Sequence, residues 1–185
     1  MKDIERYTRV TEVLYPFSGL KNVPKEILDN ACARGEQVHS ICDALISCMG
    51  IYEIPTHLEG YIESFKKWAM GMEFIQKPDR FFCEELMLTG EIDGLREENG
   101  SLVLFDLKTS AKESKTWSLQ GSAYTYLSKK MGINIEKIEF IKLDKMGKSP
   151  QIFTYPYHFE DFRKCLDVYR MFFDKPNEEN PLDHL

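Results

Sequence analysis

Two aspartates and a lysine form the most chemically pointed pattern in the chain: Asp93 in Gly90-Glu91-Ile92-Asp93-Gly94, and Asp106 with Lys108 in Leu102-Val103-Leu104-Phe105-Asp106-Leu107-Lys108-Thr109-Ser110. The stretch 102–107 is apolar or β-prone at nearly every position and is bounded by Asn99-Gly100 and Thr109-Ser110, which predicts a strand covered on both faces. Alternation puts Asp106 and Lys108 on the face of Leu102 and Leu104, with Val103, Phe105 and Leu107 on the other. A buried charge pair is rarely better than an apolar one, so these charges need either an exposed strand end or a task. A second strand is predicted over 86–95, joined to the first as a hairpin through Arg96-Glu97-Glu98-Asn99-Gly100. That hairpin brings Asp93 beside Asp106. Neighbouring carboxylates repel, and a divalent cation relieves the repulsion while supplying an activated water. Oxygen ligands without Cys or several His select Mg²⁺ or Mn²⁺ rather than zinc.

Helices must complete such a site. Over 114–131 the positions Ala123, Leu127 and Met131 define an inward face, with Gln120 and Tyr124 on or beside it one turn apart. A buried glutamine without partners costs about 1–3 kcal/mol, and water, metal or phosphate would supply them. Upstream, after a short helical start at Pro24, the residues Ala31, Gly35, Val38, Cys42, Leu45 and Met49 repeat at helical spacing over 29–49, with His39 beside that face. By default such a histidine is a hydrogen-bonded core residue. A helix over 56–74 carries Trp68, which reads as core. The sheet is expected to begin at Phe81-Phe82-Cys83-Glu84-Glu85-Leu86, where alternation sends Glu84 and Glu85 to opposite faces; one of them faces the site, or both are exposed edge carboxylates. Strands over 137–144 and 151–157 and a helix over 158–173 follow, and an opening helix takes Thr8 or Thr11 as its N-cap. The fold class is therefore α/β, a central mixed β-sheet flanked by helices.

The ordered set G-x-x-D (Gly90 to Asp93), D-x-K (Asp106 to Lys108) and Q-x-x-x-Y (Gln120 to Tyr124) resembles the PD-(D/E)xK nuclease superfamily, in particular its RecB-like exonuclease branch. That branch includes phage recombination exonucleases and the mitochondrial genome maintenance exonuclease. Arg34-Gly35-Glu36-Gln37-Val38-His39 matches a further histidine that the branch carries on an upstream helix. The match spans 34–130, about half the chain. The resemblance implies a restriction-endonuclease-like core after an N-terminal helical part. It implies a Mg²⁺ or Mn²⁺ ion held by Asp93, Asp106 and the Leu107 carbonyl, with His39 beside it either as a further ligand or as an orienter of the phosphate. Lys108 would either position the attacking water and lower its pKa or stabilise the transition state. Gln120 and Tyr124 would orient the site or the scissile strand, Glu84 or Glu85 would contribute from the first strand, and Trp117, Lys112, Lys115 and Arg34 would touch nucleic acid. The expected activity is metal-dependent hydrolysis of DNA in recombination, repair or replication, by an exonuclease sooner than a structure-specific endonuclease. Single-stranded DNA or DNA ends are the expected partner, with a recombination or replication protein as a candidate second one. The alternative is a non-catalytic DNA-end or protein-binding module in which D-x-K is a salt bridge.

Composition bounds the rest. The 185 residues suit a single domain over 1–175, divided into a mainly helical part over 1–78 that carries His39 and a sheet core over 79–175, with a tail over 176–185. No apolar run could span a membrane and the charged start lacks a secretory core, so a cytoplasmic, bacterial or phage-encoded protein without membrane contact is expected. Five cysteines without a C-x-x-C pair argue against a disulfide framework or a zinc knuckle. Relatives that hold an iron–sulfur cluster cluster three cysteines downstream; only Cys165 lies there, so no cluster is expected. The net charge of -6 argues against tight non-specific duplex binding by this chain alone, although part of the acidic excess lies in 174–185.

Overall fold

The computed structural model describes residues 4–49 and 53–173. It is a mixed α/β fold with two sheets. A small sheet is built from β1 (Thr8–Arg9), β3 (Phe81–Cys83) and β4 (Leu88–Gly90), in the order β1-β4-β3. The large sheet contains β2 (Phe74–Ile75), β5 (Gly94–Glu98), β6 (Ser101–Lys108), β7 (Ile135–Lys142) and β8 (Gln151–Thr154), in the order β2-β5-β6-β7-β8. Its pairs are antiparallel except β6 with β7, which run parallel. Among the described residues five α-helices flank them: α1 (Val10–Leu14), α2 (Lys25–Ile46), α3 (Glu59–Ala69), α4 (Trp117–Lys130) and α5 (Phe159–Phe172).

The long apolar run behaves as its composition predicts. β6 lies at the centre of the large sheet and is covered on both faces. Leu104 packs in one core with Val13 of α1, Ala123, Tyr124 and Leu127 of α4 and Phe162 of α5. Phe105 and Leu107, pointing the other way, pack in a second core with Val38 and Cys42 of α2 and Ile62, Phe65 and Trp68 of α3. Each fully buried side chain of this size contributes about 1.5–3 kcal/mol, so β6 is fixed in position before its polar end is considered. Trp68 is core, its ring 4.9 Å from that of Phe105.

Several boundaries differ from expectation: the helix expected over 56–74 ends at Ala69, with Phe74 opening β2, and the strand expected over 151–157 ends at Thr154. The single strand predicted over 86–95 is two strands in two sheets, β4 and β5, with an irregular step over 91–93 between them. A ring is seated on the backbone at each side of the break: a Cβ at Gly90 would stand 2.7 Å from Tyr124 Cε1 of α4, and one at Gly94 would stand 2.1 Å from Cζ of its cross-strand partner Phe105. The first strand, expected over 81–86, ends at Cys83 because 84–87 form a tight turn closed by the Met87 N–H on the Glu84 carbonyl (3.1 Å). Met87 adopts a left-handed φ of 43° there. The two helical stretches near 24–49 are one helix, α2, entered at Pro24, while Met49 beyond it is exposed. α1 starts after Arg9 with no side-chain cap, so neither Thr8 nor Thr11 serves as one. Among the described residues no helix is long and apolar enough to cross a membrane.

Candidate metal centre

The polar end of β6 faces α4, and the step before β5 supplies its counterpart. Gly94 pairs with Phe105 in the antiparallel ladder, so one step further out Asp93 falls opposite Asp106. Asp93 is held from two sides: its Oδ2 accepts the Leu107 N–H at 2.5 Å, and its Oδ1 lies 2.8 Å from His39 Nδ1 on α2. Gly35, one turn before His39, faces the end of β6, where a Cβ would make only ordinary van der Waals contact with Thr109 Oγ1 at 3.7 Å, so the approach of α2 does not depend on a glycine here. Asp106 Oδ1 accepts from Gln120 Nε2 at 3.3 Å. Lys108 Nζ stands 2.6 Å from Asp106 Oδ2 and donates to Gln120 Oε1 at 3.1 Å. Gln120 Nε2 also donates to the Tyr124 hydroxyl at 3.0 Å. The buried amide thus meets the requirement set by its burial through its own neighbours. Gly90 is what admits the Tyr124 ring to this position.

Electrostatics separate the two carboxyls. Burial would raise the Asp93 carboxyl, but His39, the Leu107 N–H and Lys108 outweigh it and hold Asp93 below its usual range. Burial pushes Asp106 up, opposed by Lys108 and reinforced by the charge of Asp93. His39 is raised, because the attraction and hydrogen bond of Asp93 overcome the burial that would lower it. Burial also drives the Tyr124 hydroxyl far above its ordinary value, so it stays protonated. Lys108 is backed by rings, with Nζ 5.4 Å from the Phe140 centroid and 5.9 Å from that of Trp117.

Whether these residues suit a hard cation is tested by their oxygens. Asp106 is buried with its Oδ2 2.6 Å from the Lys108 ammonium, and each of its carboxylate oxygens has a second lone pair. Both Asp93 oxygens are engaged, yet each carboxylate oxygen has a second lone pair. In an extended strand the N–H and C=O of one residue point to the same edge, so the Leu107 carbonyl opens toward Asp93 as its N–H does. Two carboxylates and a carbonyl are the donors that Mg²⁺ or Mn²⁺ prefers. Among the described residues no three His, Cys, Asp or Glu side chains make a ready cage, so the ion would rest on a carbonyl and solvent as well as on side chains. A cleft of about 730 Å³ opens beside Asp93, lined among others by Asp43, Ile46, Phe74, Lys77 and Glu91.

Asp93, Asp106, Leu107, Lys108, Gln120, Tyr124 and His39 are therefore brought together. Glu84 and Glu85 are not: both are exposed on the 84–87 turn, and Glu85 pairs with Lys130 at 2.5 Å. Lys130 lies ten residues beyond Gln120 on α4, about 15 Å along its axis. Trp117 is buried, stacked on Phe140 at 5.6 Å and edged by Phe153 at 5.5 Å, so it backs Lys108 and offers no face to a base. Lys112 and Lys115 are exposed on the connection 109–116. Arg34 lies over the Tyr61 ring at 5.9 Å. Phe140 is the neighbour that the motifs do not reveal; it pairs with Asp106 across β6 and β7, and only that parallel register places it.

No family model matches the chain, and no curated protein matches it. Among solved structures it is similar to the crystal structure of SSO0001, with 14% identity and a TM-score of 0.47 over 95% of this chain and 80% of that one. A likeness of that degree bears on neither activity nor partners.

Proposed function

We propose that the protein is a Mg²⁺- or Mn²⁺-dependent deoxyribonuclease that hydrolyses DNA phosphodiesters, acting at ends in preference to internal sites. The observation that carries this reading is the meeting of Asp93 and Asp106 on adjoining chain segments with Lys108 held between Asp106 and Gln120. The ordered motifs that resemble the RecB-like branch support the same reading. A cation bound there would supply an activated water and neutralise charge on the phosphate oxygens. Asp93, Asp106 and the Leu107 carbonyl would hold it. His39 fixes Asp93 from the α2 side. Gln120 keeps the Lys108 ammonium at the edge of the carboxylate pair, and Tyr124 fixes Gln120 in turn. Phe140 and Trp117 shield that ammonium from water, where it acts on the attacking water or on the charge of the transition state.

The experiment is incubation with end-labelled linear and closed circular DNA, each single- and double-stranded, with Mn²⁺ or with EDTA. Mn²⁺-dependent loss of linear but not circular DNA is expected. Cutting of circles would make the protein an endonuclease. No cutting of any substrate would leave Asp106 and Lys108 as a structural ion pair in a binding module.

A further inference from the structure

The chain has 30 acidic against 24 basic residues, yet the segment that turns over at one end of the large sheet is rich in lysine. β7 ends at Lys142, paired with Lys108 of β6, and the Leu143 N–H donates to the Lys108 carbonyl at 2.8 Å. The chain then turns through Asp144-Lys145-Met146-Gly147-Lys148 before β8. Asp144 is the only acid in 142–148, against Lys142, Lys145 and Lys148, and its carboxylate is spent inside the turn. Its Oδ1 accepts the N–H groups of Met146 (2.8 Å) and Lys148 (3.3 Å), and the first of these holds the Asp144 carboxyl below its usual range.

The turn is also fastened to α3. The Asp144 N–H donates to the buried hydroxyl of Ser64 at 2.9 Å, and Lys67 Nζ donates to the Gly147 carbonyl at 2.5 Å. Loops that serve only as connections are usually mobile and loosely bonded. This one is pinned, and it presents Lys145 and Lys148 to solvent with Met146 73% exposed between them. By strand spacing and rise, the turn lies roughly 10 Å from Lys108. It flanks the end of β6 on the α3 side, while Lys112 and Lys115 on the 109–116 connection flank it on the α4 side. Ammonium groups held on both sides of a centre that acts on phosphodiesters attract the backbone of the same polymer.

We infer that the 144–148 turn is a DNA-backbone contact, in which Lys145 and Lys148 hold phosphates of the strand on the α3 side of the metal centre. The inference rests on the proposed nuclease function and adds to it the path of the substrate. The test is fluorescence anisotropy of labelled single-stranded and duplex oligonucleotides in EDTA, across a salt series. Wild type is compared with Lys145→Ala/Lys148→Ala and Lys145→Arg/Lys148→Arg, with melting temperatures recorded for all three. The alanine pair should bind roughly tenfold more weakly at low salt, and its salt slope should be shallower by about 1.5, with melting unchanged and the arginine pair like wild type. An alanine pair with wild-type affinity and slope overturns the inference, as does a wild type that binds neither oligonucleotide. Wild type that binds through the turn but leaves DNA uncut with Mn²⁺ supports this inference and refutes the nuclease reading. Equal binding and cutting by wild type and the alanine pair refute this inference alone.

Discussion

Asp106, buried opposite Asp93 with its Oδ2 2.6 Å from the Lys108 ammonium, is the carboxylate on which the metal reading turns. Asp106→Asn keeps the shape of the side chain and an oxygen for Gln120 while removing the charge. Mn²⁺ should therefore raise the melting temperature of wild type above its value in EDTA, and should raise that of Asp106→Asn much less; equal shifts would remove Asp106 from the ligand set. Gly94 makes a separate demand. A methyl group there would stand 2.1 Å from the Phe105 ring, so Gly94→Ala should cost about 1–3 kcal/mol of stability in a denaturant titration. The residues that stand within one strand or one helical turn of each other, Asp106 with Lys108 and Gln120 with Tyr124, were legible from spacing alone. Glu84 and Glu85 were not, because their placement depends on a left-handed turn at Met87 that alternation cannot foresee. Trp117 misled for a different reason: a tryptophan near a charged motif reads equally as a stacking platform or as core, and only the positions of Phe140 and Phe153 decide.

At the scale of elements, the apolar run at 102–107 gave β6 to within one residue at each end, since burial on both faces leaves a strong signal. The hairpin before it was half legible. β5 does pair with β6, with Phe105 seated over its cross-strand partner Gly94, but β4 belongs to another sheet, where the Gly90 backbone receives the Tyr124 ring from α4. The charged cluster that ties β5 to β7 across β6 could not be read at all. Arg96 reaches Glu139 at 3.0 Å and Glu98 at 2.8 Å, and Lys137 reaches Glu98 and Glu139, each at 2.8 Å. Hydrogen bonds from Lys137 and Arg96 lower Glu98 from its ordinary 4.5 to about 2. A depressed carboxyl contributes stability that is complete above its ordinary pKa and fades as the pH falls toward its folded value. Glu98→Gln should thus melt below wild type at neutral pH, and the gap should narrow as the pH falls from about 4.5 toward 2. A gap that stays constant through acid would show that the cluster does not hold the strands by charge.

At the scale of the whole molecule, the site lies where the central strand of the large sheet ends, reached by α2 from one side and α4 from the other. The order of predicted strands and helices gave the α/β class, whereas composition averages charge over the chain. The lysines at 145 and 148 gain meaning only once β7 pairs with β6 and carries the turn to the end that holds Lys108. The same geometry makes Lys108 the sharpest probe of the account, since it is 19% exposed and its ammonium touches only the site and two rings among the contacts that define the centre. The measurement is cleavage of end-labelled DNA with Mn²⁺ by wild type and by Lys108→Ala, alongside their melting curves. The account predicts cutting by wild type that EDTA abolishes, and a folded variant that does not cut; a wild type that leaves DNA intact, or a variant that cuts as fast, would contradict it.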